Sequence, residues 1–109
     1  VNVVRLAEMY LTRAEANFRE GTVVGDTPLN DVNTIRDRAE LSPLVTVDLD
    51  AILLERKLEL AFEGHLLHDL KRTQQSVGAL AFDAPELVYP IPQREIDVND
   101  NLQQNEGYF

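Results

Sequence analysis

Apolar residues recur at steps of three and four along the first half of this chain, which is the spacing of one face of an α-helix. Residues 3–19 form the first such segment, and Gly21 predicts where the helix ends. The apolar stripe of this segment consists of Val3, Leu6, Ala7, Tyr10, Ala14 and Phe18. Helices with one apolar face bury that face against each other, so the pattern predicts an all-α protein.

A second helix is predicted from its start signal. Thr27 can cap the free backbone N–H groups of a helix, and Pro28 fits the first helical position, where no N–H donor is needed. The helix then runs to about residue 39, with the apolar stripe Leu29, Val32, Ile35 and Ala39. Two helices joined by a short loop resemble one tetratricopeptide-type hairpin.

A third helix begins at a cap provided by Asp48 or Asp50 and runs to Phe62 or Glu63. Its apolar residues lie on more than one face, so we expect this helix to be central and packed on several sides. Gly64 predicts a bend, after which residues 65–72 continue as a short helix.

The remainder of the chain lacks a regular pattern. Residues 73–88 are not assigned, and the tail from Tyr89 is irregular because it contains two prolines within three residues. Arg94–Ile96 is expected to form one helical turn, and the Asn- and Asp-rich residues 97–105 predict turns. With 109 residues in total, we expect a single domain over residues 1–109.

Composition excludes several classes of function. The net charge of −9 repels phosphate backbones and anionic lipid headgroups, so no nucleic-acid partner and no direct membrane binding are expected. The chain has no cysteine, which excludes disulfides, thiolate metal sites and a cysteine nucleophile. No apolar run is long enough to span a bilayer.

The segment from Glu55 to Arg72 carries the candidate chemistry. His65 and His68 are three residues apart on a helix and could face one metal ion, with Glu63 or Asp69 as a carboxylate ligand. The zinc-peptidase pattern H-E-x-x-H is absent, because the spacing is three and Leu66 follows the first histidine. We therefore favour structural histidines, and we keep a metal-dependent hydrolase as the less favoured alternative.

Three carboxylates, Glu55, Glu59 and Glu63, follow each other at four-residue steps on one helix face. A glycosidase needs two carboxylates that face each other across a substrate, whereas these point the same way. With Arg5 and Arg13 on the first helix, ion pairing is the favoured interpretation. We predict a polar seam between the first and third helices, formed by Arg5, Glu8, Glu55, Arg56, Glu59, Glu63, His65 and Asp69.

The aromatic residues divide into two groups. Tyr10 and Phe18 lie on the first apolar stripe and Phe62 on the third helix, so we expect all three in the core. Tyr89, Tyr108 and Phe109 are the aromatic rings that could be presented on the surface, where a sugar could stack on them.

Several motifs occur in a fixed order along the chain. They are Arg5-Leu6-Ala7-Glu8-Met9-Tyr10-Leu11, Arg13-Ala14-Glu15-Ala16, Ile35-Arg36-Asp37-Arg38-Ala39, Glu55-Arg56-Lys57, Glu59-Leu60-Ala61-Phe62-Glu63-Gly64-His65, Asp69-Leu70-Lys71-Arg72, Pro90-Ile91-Pro92-Gln93, Glu95-Ile96-Asp97, Gln104-Asn105 and Gly107-Tyr108. This order resembles the C-terminal part of the SusD/RagB family of outer-membrane nutrient-binding lipoproteins of Bacteroidetes, over nearly the whole chain.

The resemblance implies a function that composition does not. Members of that family lie at the cell surface, bind glycans or other oligomeric nutrients, and deliver them to a SusC-type TonB-dependent transporter without catalysis or a cofactor. The resemblance also implies a fragment of a longer protein, with a lipid anchor outside this chain, and it assigns no ligand-binding residue. The alternatives are a tetratricopeptide-type protein-interaction module and a hydrolase that uses His65 and His68.

Overall fold

The computed structural model describes residues 4–108, and these contain helices and no β-strand, which confirms the all-α class. The α-helices are α1 (Leu6–Glu20), α2 (Pro28–Arg38), α3 (Leu49–Glu59), α4 (His65–Arg72) and α5 (Gln93–Ile96), with a 3₁₀ turn at Pro85–Leu87. None of these helices is both long and apolar enough to cross a membrane. Val3 of the predicted first stripe and Phe109 lie outside the described residues.

The chain divides into two compact units, Val1–Leu66 and Leu67–Phe109. Each unit is described by itself below, and a single domain over residues 1–109 stays a prediction. The first unit contains α1, α2 and α3, while most of α4 and all of α5 belong to the second.

The helix caps of the first unit lie where local sequence predicts them. Gly21 ends α1 in the left-handed conformation, with φ at 65°. The Thr27 side chain accepts a hydrogen bond from the Asn30 backbone N–H at 3.1 Å and thereby caps α2. Asp48, one of the two predicted caps, accepts from the Ala51 N–H at 2.8 Å and starts α3. Each cap satisfies a backbone donor that the first turn of a helix leaves free.

The core of the first unit lies where α1 packs against both α2 and α3. Its buried apolar residues are Ala7, Leu11, Ala14, Val32, Ile35 and Ile52. Leu11 is fully buried although the predicted stripe omits it, and Leu6 of that stripe is mostly exposed. Because two helices contact α1, its buried arc includes Leu11, which a one-sided stripe leaves out.

The third helix differs from the prediction in two respects. It ends at Glu59, three or four residues before the predicted end, because the chain turns through residues 60–64 with positive φ at Phe62 and Gly64. Its apolar residues are also not all buried, since Leu54 and Leu58 are exposed in the described chain. The core position predicted for Phe62 is wrong, because its side chain is fully exposed at 108%.

The loop between α1 and α2 is organised by the buried amide of Asn17. Its Nδ2 donates to the backbone carbonyls of Val24 and Asp26, each at 3.0 Å. Its Oδ1 accepts from the Val24 N–H at 3.0 Å and from the Thr22 hydroxyl at 2.7 Å. A buried polar side chain costs free energy unless it is hydrogen-bonded, and here both ends of the amide have partners.

Arg13 joins this loop to α2. Its guanidinium donates from Nε at 2.9 Å and from Nη2 at 2.5 Å to the two carboxylate oxygens of Asp31, which is fully buried. Hydrogen bonding to Asp31 raises the pKa of Arg13 above its ordinary value. The same guanidinium lies 5.4 Å from the centre of the Tyr10 ring, and the backbone of Gly25 lies against it.

The second unit holds its proline-containing tail with side-chain amides. Gln104 accepts a hydrogen bond from the Ile91 N–H at 2.8 Å and donates to the Ile91 carbonyl at 2.9 Å. Asn105 donates to the Tyr89 carbonyl at 2.7 Å. These amides take the place of a strand partner, because prolines remove the backbone donors that a ladder would need. The predicted helix over residues 65–72 is confirmed as α4, and the predicted turn at 94–96 is α5.

We predict that Gly25→Ala destabilises the fold more than Gly21→Ala. Both glycines have positive φ, so alanine strains the backbone at either site by on the order of 1 kcal/mol. At Gly25 the added Cβ would lie 2.5 Å from Arg13 Nη1 and displace the guanidinium from Asp31, whereas at Gly21 it meets no atom within 4 Å. Urea denaturation measures the difference, and equal midpoints for the two variants would refute this role of Gly25.

Candidate functional site

The carboxylate of Glu59, the last residue of α3, is shared between the other two helices of the first unit. Arg5, which immediately precedes α1, donates to Glu59 Oε1 at 3.0 Å and to the Glu59 backbone carbonyl at 2.9 Å. Arg38, the last residue of α2, donates to Glu59 Oε2 at 2.5 Å. The Glu59 side chain is only 11% exposed, so water competes weakly for these bonds. One side chain therefore connects the ends of three helices.

Arg5 also donates two hydrogen bonds to the carboxylate of Glu63. Its Nε lies 3.1 Å from Oε2 and its Nη2 lies 2.7 Å from Oε1, which is the bidentate geometry that suits a guanidinium. Hydrogen bonds to Glu63 and Glu59 raise the pKa of Arg5 above its ordinary value. Arg5 thus keeps its charge throughout the pH range in which proteins fold.

Arg56 crosses from α3 to α1 as a nearly buried cation. Its Nη1 donates to the Thr12 hydroxyl at 3.1 Å, and its Nη2 lies 3.8 Å from a carboxylate oxygen of Glu8. The same Glu8 oxygen is 3.8 Å from His65 Nδ1, which adds an ion pair when the imidazole is protonated. These contacts bring the predicted residues Glu8, Arg56 and His65 together.

Two partners differ from the sequence-based expectation. Glu55 of α3 is bound by Arg36 of α2 at 2.9 Å, so this buried carboxylate faces α2. Arg13 pairs with Asp31 of α2 and not with a carboxylate of α3. The polar seam therefore extends to α2. The carboxylates of Glu55 and Glu59 on α3 reach arginines of α2, and that of Glu59 also reaches the start of α1.

The sequence interpretation left Arg36, Arg38 and Asp31 without a role. Both arginines stand in the motif Ile35-Arg36-Asp37-Arg38-Ala39, which was recognised only as part of a family pattern. The sequence does contain a signal for these two arginines. Cations are favoured in the last turn of a helix, and their long side chains can reach beyond the helix end. The carboxylates they reach are set by tertiary packing.

The histidine cluster does not assemble into a metal site among residues 4–108. His68 is exposed, and Asp69 of α4 pairs with Arg72 on the same helix at 2.8 Å. Within the described residues, no group of three or more His, Asp or Glu side chains is placed to hold a metal ion. The hydrolase alternative that uses His65 and His68 thus receives no geometric support.

The three carboxylates at four-residue steps are likewise occupied. Glu55, Glu59 and Glu63 each accept hydrogen bonds from an arginine, so their oxygens are directed at guanidinium groups. Acid–base work requires a carboxyl group that can reach a substrate proton at hydrogen-bond distance. This arrangement is suited to holding helices in register, and not to proton transfer.

Cavities occur in each of the two units of the described chain, and one in each unit is described here. The first, of about 360 Å³, lies between α1 and α2 in the first unit and is lined by Arg5, Leu6, Ala7, Tyr10, Thr34, Ile35 and Arg38. The second, of about 240 Å³, lies in the second unit and is lined by Asp83, Pro85, Val88, Asn105 and Glu106.

Comparison with known proteins places the chain in a family. The sequence model of the SusD family matches residues 1–82. The chain is 35% identical over 122 residues to starch-binding protein SusD of Bacteroides thetaiotaomicron, which covers 99% of this chain and 21% of that protein. It is 30% identical over 126 residues to SusD-like protein P38 of Formosa agariphila, which covers 95% of this chain and 24% of that protein.

Solved structures agree with these sequence matches. A crystal structure of a Bacteroides vulgatus protein superposes with a TM-score of 0.83 at 28% identity, covering 98% of this chain and 28% of the other. A SusD-like protein of Bacteroides fragilis superposes with a TM-score of 0.69 at 30% identity, covering 97% and 25%. The chain thus spans about a fifth to a quarter of the length of the two relatives named above. By sequence and by structure, the chain belongs to the SusD family.

Proposed function

We propose that the protein carrying this chain captures an oligosaccharide at the cell surface and delivers it to a SusC-type TonB-dependent transporter of the outer membrane. The observation that carries the proposal is the similarity of almost the whole chain to a protein named as starch-binding. Capture is by binding alone, and the protein reaches the membrane through a lipid anchor outside this chain.

The contacts of the first unit support a scaffold role within that function. The buried Glu55, the half-buried Glu59 and the exposed Glu63 are each engaged by an arginine. Groups held in this way keep helices in place and leave few free hydrogen-bonding atoms for a ligand. The polar seam therefore holds the helices of the first unit in place, and a sugar is bound by other residues.

A helical protein-interaction module is the second candidate. It is favoured by the exposed apolar side chains of Leu54 and Leu58, which are four residues apart on α3 and share a face, since exposed apolar groups that lie together commonly mark protein contacts. Retained binding of a protein partner by a protein that binds no sugar would favour this candidate over capture.

We predict that the full-length gene product binds an oligosaccharide and returns it unchanged. Isothermal titration with maltoheptaose, cellohexaose and xylohexaose should show saturable binding of at least one of them, and chromatography after prolonged incubation should recover the intact sugar. Release of shorter sugars would contradict the non-catalytic proposal. Absence of binding to the whole panel would contradict oligosaccharide capture.

We further predict that Glu59→Gln lowers stability without changing sugar affinity. The neutral amide cannot pair with the charges of Arg5 and Arg38, and because the Glu59 side chain is only 11% exposed, water replaces these lost ion pairs poorly at that position. Urea denaturation should show a clearly lower midpoint than for Glu63→Gln, whose more exposed carboxylate serves as the control. Unchanged stability, or loss of sugar binding in a folded protein, would contradict the scaffold role.

A further inference from the structure

A groove follows α1 on the side that faces α2. The cavity of about 360 Å³ between these helices and a neighbouring cavity of about 190 Å³ share Leu6 and Tyr10 as lining residues. Met9 and Arg13 extend the lining further along α1. Positions 6, 9, 10 and 13 follow each other at steps that place them on one face of a helix. We call this surface the α1–α2 groove.

The α1–α2 groove exposes large apolar side chains that adjoin the core. Leu6 is 70% exposed and Met9 is 45% exposed, while the ring of Tyr10 is partly buried against the core. Two buried core residues, Ala7 and Ile35, line the same groove. Apolar surface is unfavourable in water, and neighbouring exposed apolar side chains commonly mark a contact surface. The groove therefore has the character of a core that is open on one side.

The arginines that line this groove already have carboxylate partners within the first unit. Arg5 and Arg38 both donate to Glu59, and Arg13 donates to Asp31. Because these carboxylates neutralise the three guanidinium charges, the groove exerts little attraction on an anionic ligand. What it offers to a partner is apolar surface, so its chemistry suits an apolar protein face better than a sugar or a charged group.

The length of the relatives indicates what such a partner is. The matched region makes up 21% of starch-binding protein SusD and 24% of SusD-like protein P38, and the chain resembles the C-terminal part of its family, so most of the full-length protein precedes α1. Val4 and Arg5 lead directly into Leu6, so the preceding polypeptide arrives at the groove itself. A helical hairpin of tetratricopeptide type does not bury its apolar face alone, and the neighbouring hairpin in the chain covers that face.

We propose that the α1–α2 groove is the docking surface for an amphipathic helix of the same polypeptide, N-terminal to this chain. The apolar face of that helix packs on Leu6, Met9 and Tyr10 and thereby extends the core of the first unit into the rest of the protein. The proposal does not depend on sugar capture, because this contact is made in the free protein, without ligand and without transporter.

Met9 is the single methionine of this chain and reports directly on the groove. Hydrogen peroxide converts accessible methionine to its sulfoxide, so a covered Met9 reacts slowly. In the native full-length gene product, without sugar or transporter, Met9 should oxidise about tenfold more slowly, or slower still, than in the same protein unfolded in urea. Mass spectrometry of the peptide that contains Met9 measures both rates. A smaller difference would show an open groove and overturn the proposal.

Two variants of the full-length gene product test the docking face. Leu6→Gln places a polar amide in the groove and should raise the rate of Met9 oxidation toward that of the unfolded protein. Val45→Gln is the matched control and should leave the rate unchanged, because Val45 is 89% exposed in the same unit and lines neither cavity of the groove. Both variants should keep the circular dichroism spectrum of the parent. An unchanged rate in Leu6→Gln, or an equal rise in Val45→Gln, would overturn the proposal.

Photo-crosslinking identifies what covers the groove. Photo-methionine incorporated at position 9 of the full-length gene product should link, on illumination, to residues that precede Val1 in the same molecule, with a yield that dilution does not change. Links only to residues 67–109, links to a second copy that are lost on dilution, or the absence of links would each overturn the proposal. Protection of Met9 that appears only when maltoheptaose is added would assign the groove to the sugar and likewise overturn it.

Discussion

The carboxylate of Glu59 is the interaction on which the arrangement of the first unit depends. It receives Arg5 from the start of α1 and Arg38 from the end of α2, and it stands at the end of α3. The apolar core between these helices is small, with Leu11, Val32 and Ile52 as its largest fully buried apolar side chains. Apolar contact is not directional and permits helices to slide, whereas a guanidinium bound to a carboxylate fixes distance and angle. The ion pairs therefore set the relative positions that the core stabilises.

The acidic character of the chain has two different consequences in its two units. In the first unit, Asp31, Glu55 and Glu59 are buried or half-buried and each is bound by an arginine, so their charge is used internally. In the second unit, Asp83 and Glu106 have no such partner within the described residues and face a cavity.

The sequence predicts the structural features that depend on residues close together in the chain. The caps at Thr27 and Asp48 and the end at Gly21 follow from backbone donors and from φ within a few residues. Phe62 could not be placed in this way, because its exposure results from a turn through left-handed conformations that helical periodicity does not signal. The partners of Glu55 and Arg13 were also missed, since the choice between α1 and α2 depends on how three helices pack. The sequence names Tyr89 and Tyr108 as candidate surface rings, and only the structure shows that Tyr89 is the more exposed of the two.

A double-mutant cycle between Arg5 and Glu59 tests most directly whether this pair positions the helices. The stabilities of the parent, Arg5→Gln, Glu59→Gln and the double variant are measured by urea denaturation, which isolates the coupling between the two side chains. We expect strong coupling, so that the second substitution costs far less than the first because the contact is already lost. Strictly additive losses would show that the two side chains act independently and would contradict the account.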